Sequence, residues 1–344
     1  MTIKAAVMLL PASTTWRVAV LLKPCLALGL ALGGGWTVAA APPAAPAPAG
    51  RASAVQIARV ELLSGERAGY VRPAWSPDGQ WLGLGRAGMA GIELARRDGK
   101  EWKLLTLETD SGYRFDWSPD SARIAYRTRR TESNLTWYVI KSVDLASGKT
   151  AELSKPAGEV SPPVWLSSNG NQCVSFLLGT NLVNTPWQRA KRKVGTRASQ
   201  PAPLLFTDRG QVWRAGPDSG VRTALTTDGG MEPVWSPDRS QVVYSQMGVL
   251  MIMAPDGSKK RELARGHHPS WSPDGTMLVY DVSRDDGHQI LSSDLYVINV
   301  DGTEPTRLTH TPEVLECEPA WSPDGRCIAC RTEDAGRVLL LWLQ

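Results

Sequence analysis

The sequence predicts an all-β ring, a six-bladed β-propeller of four-stranded antiparallel blades, and three observations lead there. A motif made of a tryptophan, a tight turn and an apolar strand recurs six times along the chain. The tryptophans heading the copies are spaced 42, 48, 70, 36 and 50 residues apart, the period range of propellers and solenoids. The last copy lacks a strand that the segment ahead of the first copy can supply.

The six copies are RPAWSPDGQWLGLG around Trp75, RFDWSPDSARIAY around Trp117, PPVWLSSNGNQCVSF around Trp165, EPVWSPDRSQVVY around Trp235, HPSWSPDGTMLVY around Trp271 and EPAWSPDGRCIAC around Trp321. In each regular copy a short strand ends at tryptophan and the turn Ser-Pro-Asp-Gly follows. Proline presets φ at the first central position, aspartate suits the next, and glycine accepts the left-handed conformation that closes the hairpin. The second strand is apolar at successive positions. It ends nine residues after the tryptophan at Leu84, Tyr126, Tyr244, Tyr280 and Cys330. A strand apolar on both faces is sandwiched between neighbours, as in a propeller blade.

A third strand follows in most copies, as in DLYVINVDG at 294–302, and a fourth ends in RLT, REL or RTALT. After RCIACR the last copy has only RVLLLWLQ, while RVELL at 59–63 sits ahead of Trp75 as a fourth strand without a blade. This N-terminal strand is expected to complete the last blade, lock the ring and remove a free sheet edge. The 70-residue interval holds about six strand candidates, where one blade needs four and two need eight. Seven blades is therefore the alternative to six.

The motif W-S-P-D-G with an apolar strand behind it, and the later DLYVINVDGTEPTRLT, resemble the TolB-type propeller repeat, also called the WD40-like PD40 repeat. The resemblance covers roughly residues 55–344. It implies a propeller of the bacterial cell envelope with protein partners, although TolB carries an α/β domain ahead of its propeller and this sequence shows only a tether there. The repeat also resembles the propeller of prolyl-oligopeptidase-type enzymes, but no Gly-x-Ser-x-Gly elbow occurs in the chain.

Three divisions are expected: a signal peptide over 1–40, an Ala/Pro-rich tether over 41–54, and the propeller over 55–344. Lys4, Arg17 and Lys23 precede the apolar stretch Leu26 to Ala40, and no acidic residue comes before Glu61. An uncleaved anchor is the alternative to cleavage. Removing 1–40 takes the net charge from +4 to +1, which gives no case for nucleic-acid binding.

The motif aspartates Asp78, Asp120, Asp238, Asp274 and Asp324 read as turn residues held apart in separate blades, with no catalytic or metal role. The candidate site lies three residues before each tryptophan, where inner strands begin at the mouth of the central channel. Those positions are Arg72, Arg114, Pro162, Glu232, His268 and Glu318, with Asp116 and Glu316 nearby. Inner strands converge on the axis, so charges distant in sequence can meet one ligand, and the ring divides into a cationic and an acidic arc. No metal site is expected: His267 and His268 point opposite ways in an extended strand, and so do Cys327 and Cys330. Cys317 is placed on the strand paired with Cys330, where either buried thiols or a disulfide fits. Membrane contact is expected only through an uncleaved leader or the basic loop 189–197.

No catalytic residue and no cofactor are assigned. The expected function is an exported noncatalytic module, periplasmic or at the cell surface, that presents its loops and channel mouth to a protein or peptide. The alternative is a ligand-binding or hydrolytic propeller acting on a saccharide or lactone at the same mouth.

Overall fold

A computed structural model of the chain describes residues 54–168, 171–188, 203–216 and 221–344. These residues form seven antiparallel sheets. Blade 1 is Tyr70–Trp75, Trp81–Arg86, Ile92–Arg96 and Trp102–Thr106; blade 2 is Phe115–Trp117, Arg123–Glu132, Leu135–Asp144 and Thr150–Glu152. Blade 5 is Met231–Trp235, Val242–Gln246, Val249–Met253 and Arg261–Arg265; blade 6 is His267–Trp271, Met277–Asp285, Ile290–Asn299 and Thr306–Arg307. Blade 7 takes Glu316–Trp321, Cys327–Thr332 and Val338–Leu343 from the C-terminal segment and its outermost strand, Ile57–Leu62, from the beginning of the described chain. Val60 pairs with Leu341 and Leu62 with Leu339, so the expected N-terminal clasp closes the last blade.

The blade count corrects the expectation of six. The interval between Trp165 and Trp235 holds six described strands, but they form two sheets of three. Blade 3 is Val164–Ser168, Asn171–Leu178 and Asn181–Gln188; blade 4 is Leu204–Asp208, Gln211–Ala215 and Arg222–Ala224. Leu205 and Val212 of blade 4 pack as part-buried and buried members of one core with Val242 and Tyr244 of blade 5. Their seven-residue separation equals that of Val243 and Leu250, on the second and third strands of blade 5. Blade 4 thus contributes its second to fourth strands and blade 3 its first to third, among the described residues. Blade 4 has no tryptophan motif to mark it, which is why the repeat count fell one short.

Seven buried hydrophobic clusters lie one between each pair of neighbouring blades. Ala125 and Ile140 of blade 2 meet Trp165 and Phe176 of blade 3, for example. The cluster of Trp75, Leu82 and Leu84 with Cys327, Ala329 and Leu340 joins blade 1 to blade 7 and so closes the ring. Each sheet is buried on both faces, which is why its second strand is apolar at consecutive positions.

The turn chemistry accounts for the motif residue by residue. Ser76 Oγ donates to Asp78 Oδ1 at 2.6 Å and accepts the Trp81 amide at 3.0 Å, while Asp78 Oδ1 also accepts the Gln80 amide. The same serine–aspartate bond recurs at Ser118–Asp120, Ser236–Asp238, Ser272–Asp274 and Ser322–Asp324. The fourth turn residue has positive φ in every regular copy. It is Gly79, Gly275 and Gly325 in three of them, but Ser121 (φ 58) and Arg239 (φ 61) in the others. Two of the motif tryptophans stitch inner strands together, Trp75 Nε1 donating to Ala320 O and Trp117 Nε1 to Ala74 O of the preceding blade, whereas Trp321 Nε1 donates to Gly325 O of its own turn.

Cys317 pairs with Arg331 and Cys330 with Leu339, so the two thiols lie on opposite faces of the sheet; the described cysteines are all free. The expected leader, the tether up to residue 53 and the basic loop 189–197 fall outside the described residues. Among the described residues no helix is long and apolar enough to cross a membrane.

Candidate functional site at the channel mouth

In blades 1, 5, 6 and 7 the inner strand carries a local irregularity at the third residue before tryptophan. The ladder shifts register between Val71 and Ala74, Met231 and Val234, His267 and Ser270, and Cys317 and Ala320. Within each bulge the residue before a proline takes a left-handed backbone: Arg72 (φ 52), Glu232 (φ 52), His268 (φ 50) and Glu318 (φ 51). Non-glycine residues rarely adopt this conformation, which costs on the order of 1–2 kcal/mol each. Proline has no amide hydrogen, so Pro73, Pro233, Pro269 and Pro319 lose no ladder bond at the break. The bulge turns the preceding side chain out of the blade.

The four turned side chains and Arg114 line one open cavity of about 230 Å³, floored by the prolines and Val234. Five blades thus contribute to a single mouth. Asp116 and Glu316, expected there from the sequence, are not in its lining. Asp116 lies two residues deeper, where its carboxylate accepts the amides of Trp117 at 3.0 Å and of Trp165, in the next blade, at 2.6 Å. Loss of solvent outweighs those two bonds and pushes its carboxyl up to about 7. Glu316 is buried between blades 6 and 7, with Thr309 and Thr311 donating to its carboxylate.

The cationic and acidic arcs do not face each other as open patches. Arg114 Nη2 reaches Glu232 Oε1 at 2.8 Å, and Arg72 brings Nη1 and Nη2 to the same oxygen at 3.4 and 3.3 Å. Blades 1 and 2 are thereby strutted to blade 5 across the mouth. Burial works to raise the Glu232 carboxyl, but Arg114, His268 and Arg72 together hold it below the usual range. Glu318 Oε2 accepts the Arg72 amide at 2.6 Å and pairs with Arg331 Nε at 3.0 Å. His268 Nδ1 bonds Asp281 Oδ1 at 2.8 Å. Burial disfavours the imidazolium, yet that bond and the charges of Asp281, Glu232 and Glu318 raise its pKa.

Asp281 and Arg331, which sequence reasoning did not single out, hold the lining side chains His268 and Glu318 in place. Asp281 is almost fully buried, and its Oδ1 also accepts the Glu318 amide at 3.1 Å. Both lie on second strands, outside the tryptophan motif. The readable signal was the recurring X-Pro pair in RPAW, EPVW, HPSW and EPAW, a backbone mark of the bulge.

Chemically, the mouth presents two guanidiniums converging on one carboxylate oxygen, with a protonatable imidazole between two acids. The pair of guanidiniums is arranged as charge-assisted carboxylate contacts require, and Glu232 supplies the carboxylate they hold. Among the described residues no group of three or more His, Cys, Asp or Glu is placed to hold a metal ion.

No family model matches the chain, and no curated protein matches it. Solved structures do. The WD40 repeats of RRP9 superpose with a TM-score of 0.57 at 11% identity, covering 84% of this chain and 100% of that one. The β-propeller domain of Cps50 (Swd1) from Myceliophteria thermophila gives 0.54 at 11% identity, covering 83% and 98%. TolB from Acinetobacter baumannii gives 0.49 at 17% identity over 74% of this chain, which spans only 57% of that protein. At such identities the likeness concerns the fold. With seven sheets in a ring closed by its own N-terminal strand, the described chain is a seven-bladed β-propeller of the fold seen in the RRP9 WD40 repeats and the Cps50 propeller domain.

Proposed function

We propose that the chain is an exported, noncatalytic interaction module of the bacterial cell envelope, periplasmic or surface-exposed, that receives a protein or peptide at the channel mouth. The observation carrying this reading is the set of four left-handed, pre-proline residues that turn Arg72, Glu232, His268 and Glu318 into one cavity beside Arg114. Strain repeated in four blades at one place is consistent with preorganised recognition. The partner carries an acidic side chain or a C-terminal carboxylate that takes over Arg72 and Arg114 from Glu232. The basic leader and the TolB-type repeat support the location.

The test is capture from envelope extract with the purified full chain, compared with the Arg72→Gln/Arg114→Gln double variant and with Lys149→Glu, a change in an outer turn of blade 2. Partners retained by the wild type and by Lys149→Glu should fall at least about tenfold on the double variant. Equal recovery on all three proteins overturns the reading.

A further inference from the structure

The repeat is altered at two coupled positions in blade 7. In blade 6, Gly266 stands five residues before the motif tryptophan and lies under Tyr280, nine residues after it; a Cβ there would come within 2.5 Å of the tyrosine ring. Blade 5 repeats the pair as Gly230 and Tyr244. Blade 7 has Glu316 in place of the glycine and Cys330 in place of the tyrosine. Removing the ring makes room for a side chain, and the side chain present is an acid.

The Glu316 carboxylate is 2% exposed as a residue and accepts hydrogen bonds from the hydroxyls of Thr309 and Thr311. No cation among the described residues lies within ion-pair distance of it. The neighbouring Arg307 is committed to Asp294 at 2.7 Å. A buried carboxylate without a counter-charge is costly, and burial together with the charge of Asp294 raises its pKa.

Glu316, Thr309 and Thr311 stand at one wall of a cavity of about 570 Å³ between blades 6 and 7, distinct from the channel mouth. The fourth strand of blade 6 is only the two residues Thr306–Arg307, and beside it the clasp strand of blade 7 is left partly uncovered while the third strand stays largely buried. Val60, Leu62, Leu339, Leu341, Leu308 and Val314 line the cavity. Val60 and Leu62 are 58% and 44% exposed on the clasp strand. Besides Glu316, the ionisable residues of the lining are Asp334, Arg337 and the exposed His310. An aliphatic wall ending at a lone buried carboxylate is complementary to an aliphatic chain ending in a cation, and the volume suits a whole small molecule.

We propose that this groove binds a small aliphatic primary amine, with its alkyl chain on the leucine and valine wall and its ammonium on the Glu316 carboxylate. The test is calorimetric titration of the full chain with hexylammonium, hexanol and hexanoate. Hexylammonium should bind at least about tenfold more tightly than hexanol, and hexanoate should not bind. In Glu316→Gln the amine should fall to the affinity of the alcohol while hexanol binding is retained, which also shows that the variant is folded. Should Glu316→Gln not fold, Glu316→Asp, which withdraws the charge by one methylene, should reduce the amine's advantage. Leu62→Trp on the accessible clasp strand should fill the groove and abolish both. Equal affinity for amine and alcohol in the wild type, an amine preference that persists in the Glu316 variants, or no binding of either ligand overturns the proposal.

Discussion

Replacing Glu232 by glutamine isolates the cross-channel strut. The change keeps the side-chain shape and removes the charge on which Arg72 and Arg114 converge at 3.3 and 2.8 Å. The three side chains are 23%, 29% and 37% exposed, so the contacts are neither surface ion pairs, at about 0–1 kcal/mol each, nor fully buried ones, whose rupture costs about 3–5 kcal/mol. Two contacts of intermediate exposure give an expected loss of about 2 kcal/mol, part of it from leaving two guanidiniums facing each other. Urea unfolding at neutral pH, read from tryptophan fluorescence, measures it through the midpoint. A second readout is independent of stability. The charge of Glu232 helps to raise the His268 pKa, so the His268 resonance should titrate at lower pH in Glu232→Gln than in the wild type. A loss below about 0.5 kcal/mol together with an unmoved His268 titration would refute the strut, since such a value is that of an ordinary surface substitution.

Three further outcomes follow from the same geometry. Ser322→Ala removes a buried hydroxyl that donates to Asp324 at 2.7 Å and accepts the amide of the fully buried Cys327 at 3.0 Å, and should cost about 3 kcal/mol in urea unfolding; a change under about 1 kcal/mol would show that the serine does not organise the turn. Arg239→Gly relieves a left-handed backbone at an exposed turn position and should stabilise by about 0.5 kcal/mol once the greater freedom of glycine in the unfolded chain is subtracted, with a raised thermal midpoint as the check. Asp116 keeps its proton in the folded chain up to about 7, whereas an unfolded aspartate releases it near 4, so the folded state binds the extra proton in between and stability declines as pH rises from about 4 to 7. Asp116→Asn should flatten that decline by on the order of 3 kcal/mol across the window, and parallel pH profiles for the two proteins would exclude the assignment.

Much of the architecture was legible in the residues because the forces that specify it act over short stretches. Proline's fixed φ, the serine–aspartate bond and the left-handed fourth position close each turn within six residues, so WSPDG marks an inner hairpin wherever it occurs. RVELL was recognisable as a displaced fourth strand for the same reason, and the structure places Ile57–Leu62 against Val338–Leu343. Blade 4 was invisible as a blade because it lacks the tryptophan motif, and its identity rests on packing of Leu205 and Val212 against blade 5. At the mouth, the period of the repeat indicated which residues come to the axis but not how far each side chain reaches. Arg72 meets Glu232 only because bulges in two blades 160 residues apart turn both side chains inward and the ring sets them opposite each other. Glu316 shows the limit most clearly. Its closeness in sequence to Glu318 suggested the rim, yet it occupies the place of a packed glycine, and the burial that removes it from the channel is the work of Cys330 and of the blade next door. The sequence by itself determined the turns, the strand alternation and the clasp, since these are local; the blade number, the strut and the fate of Glu316 were decided by tertiary structure, since each depends on which surfaces a closed ring brings into contact.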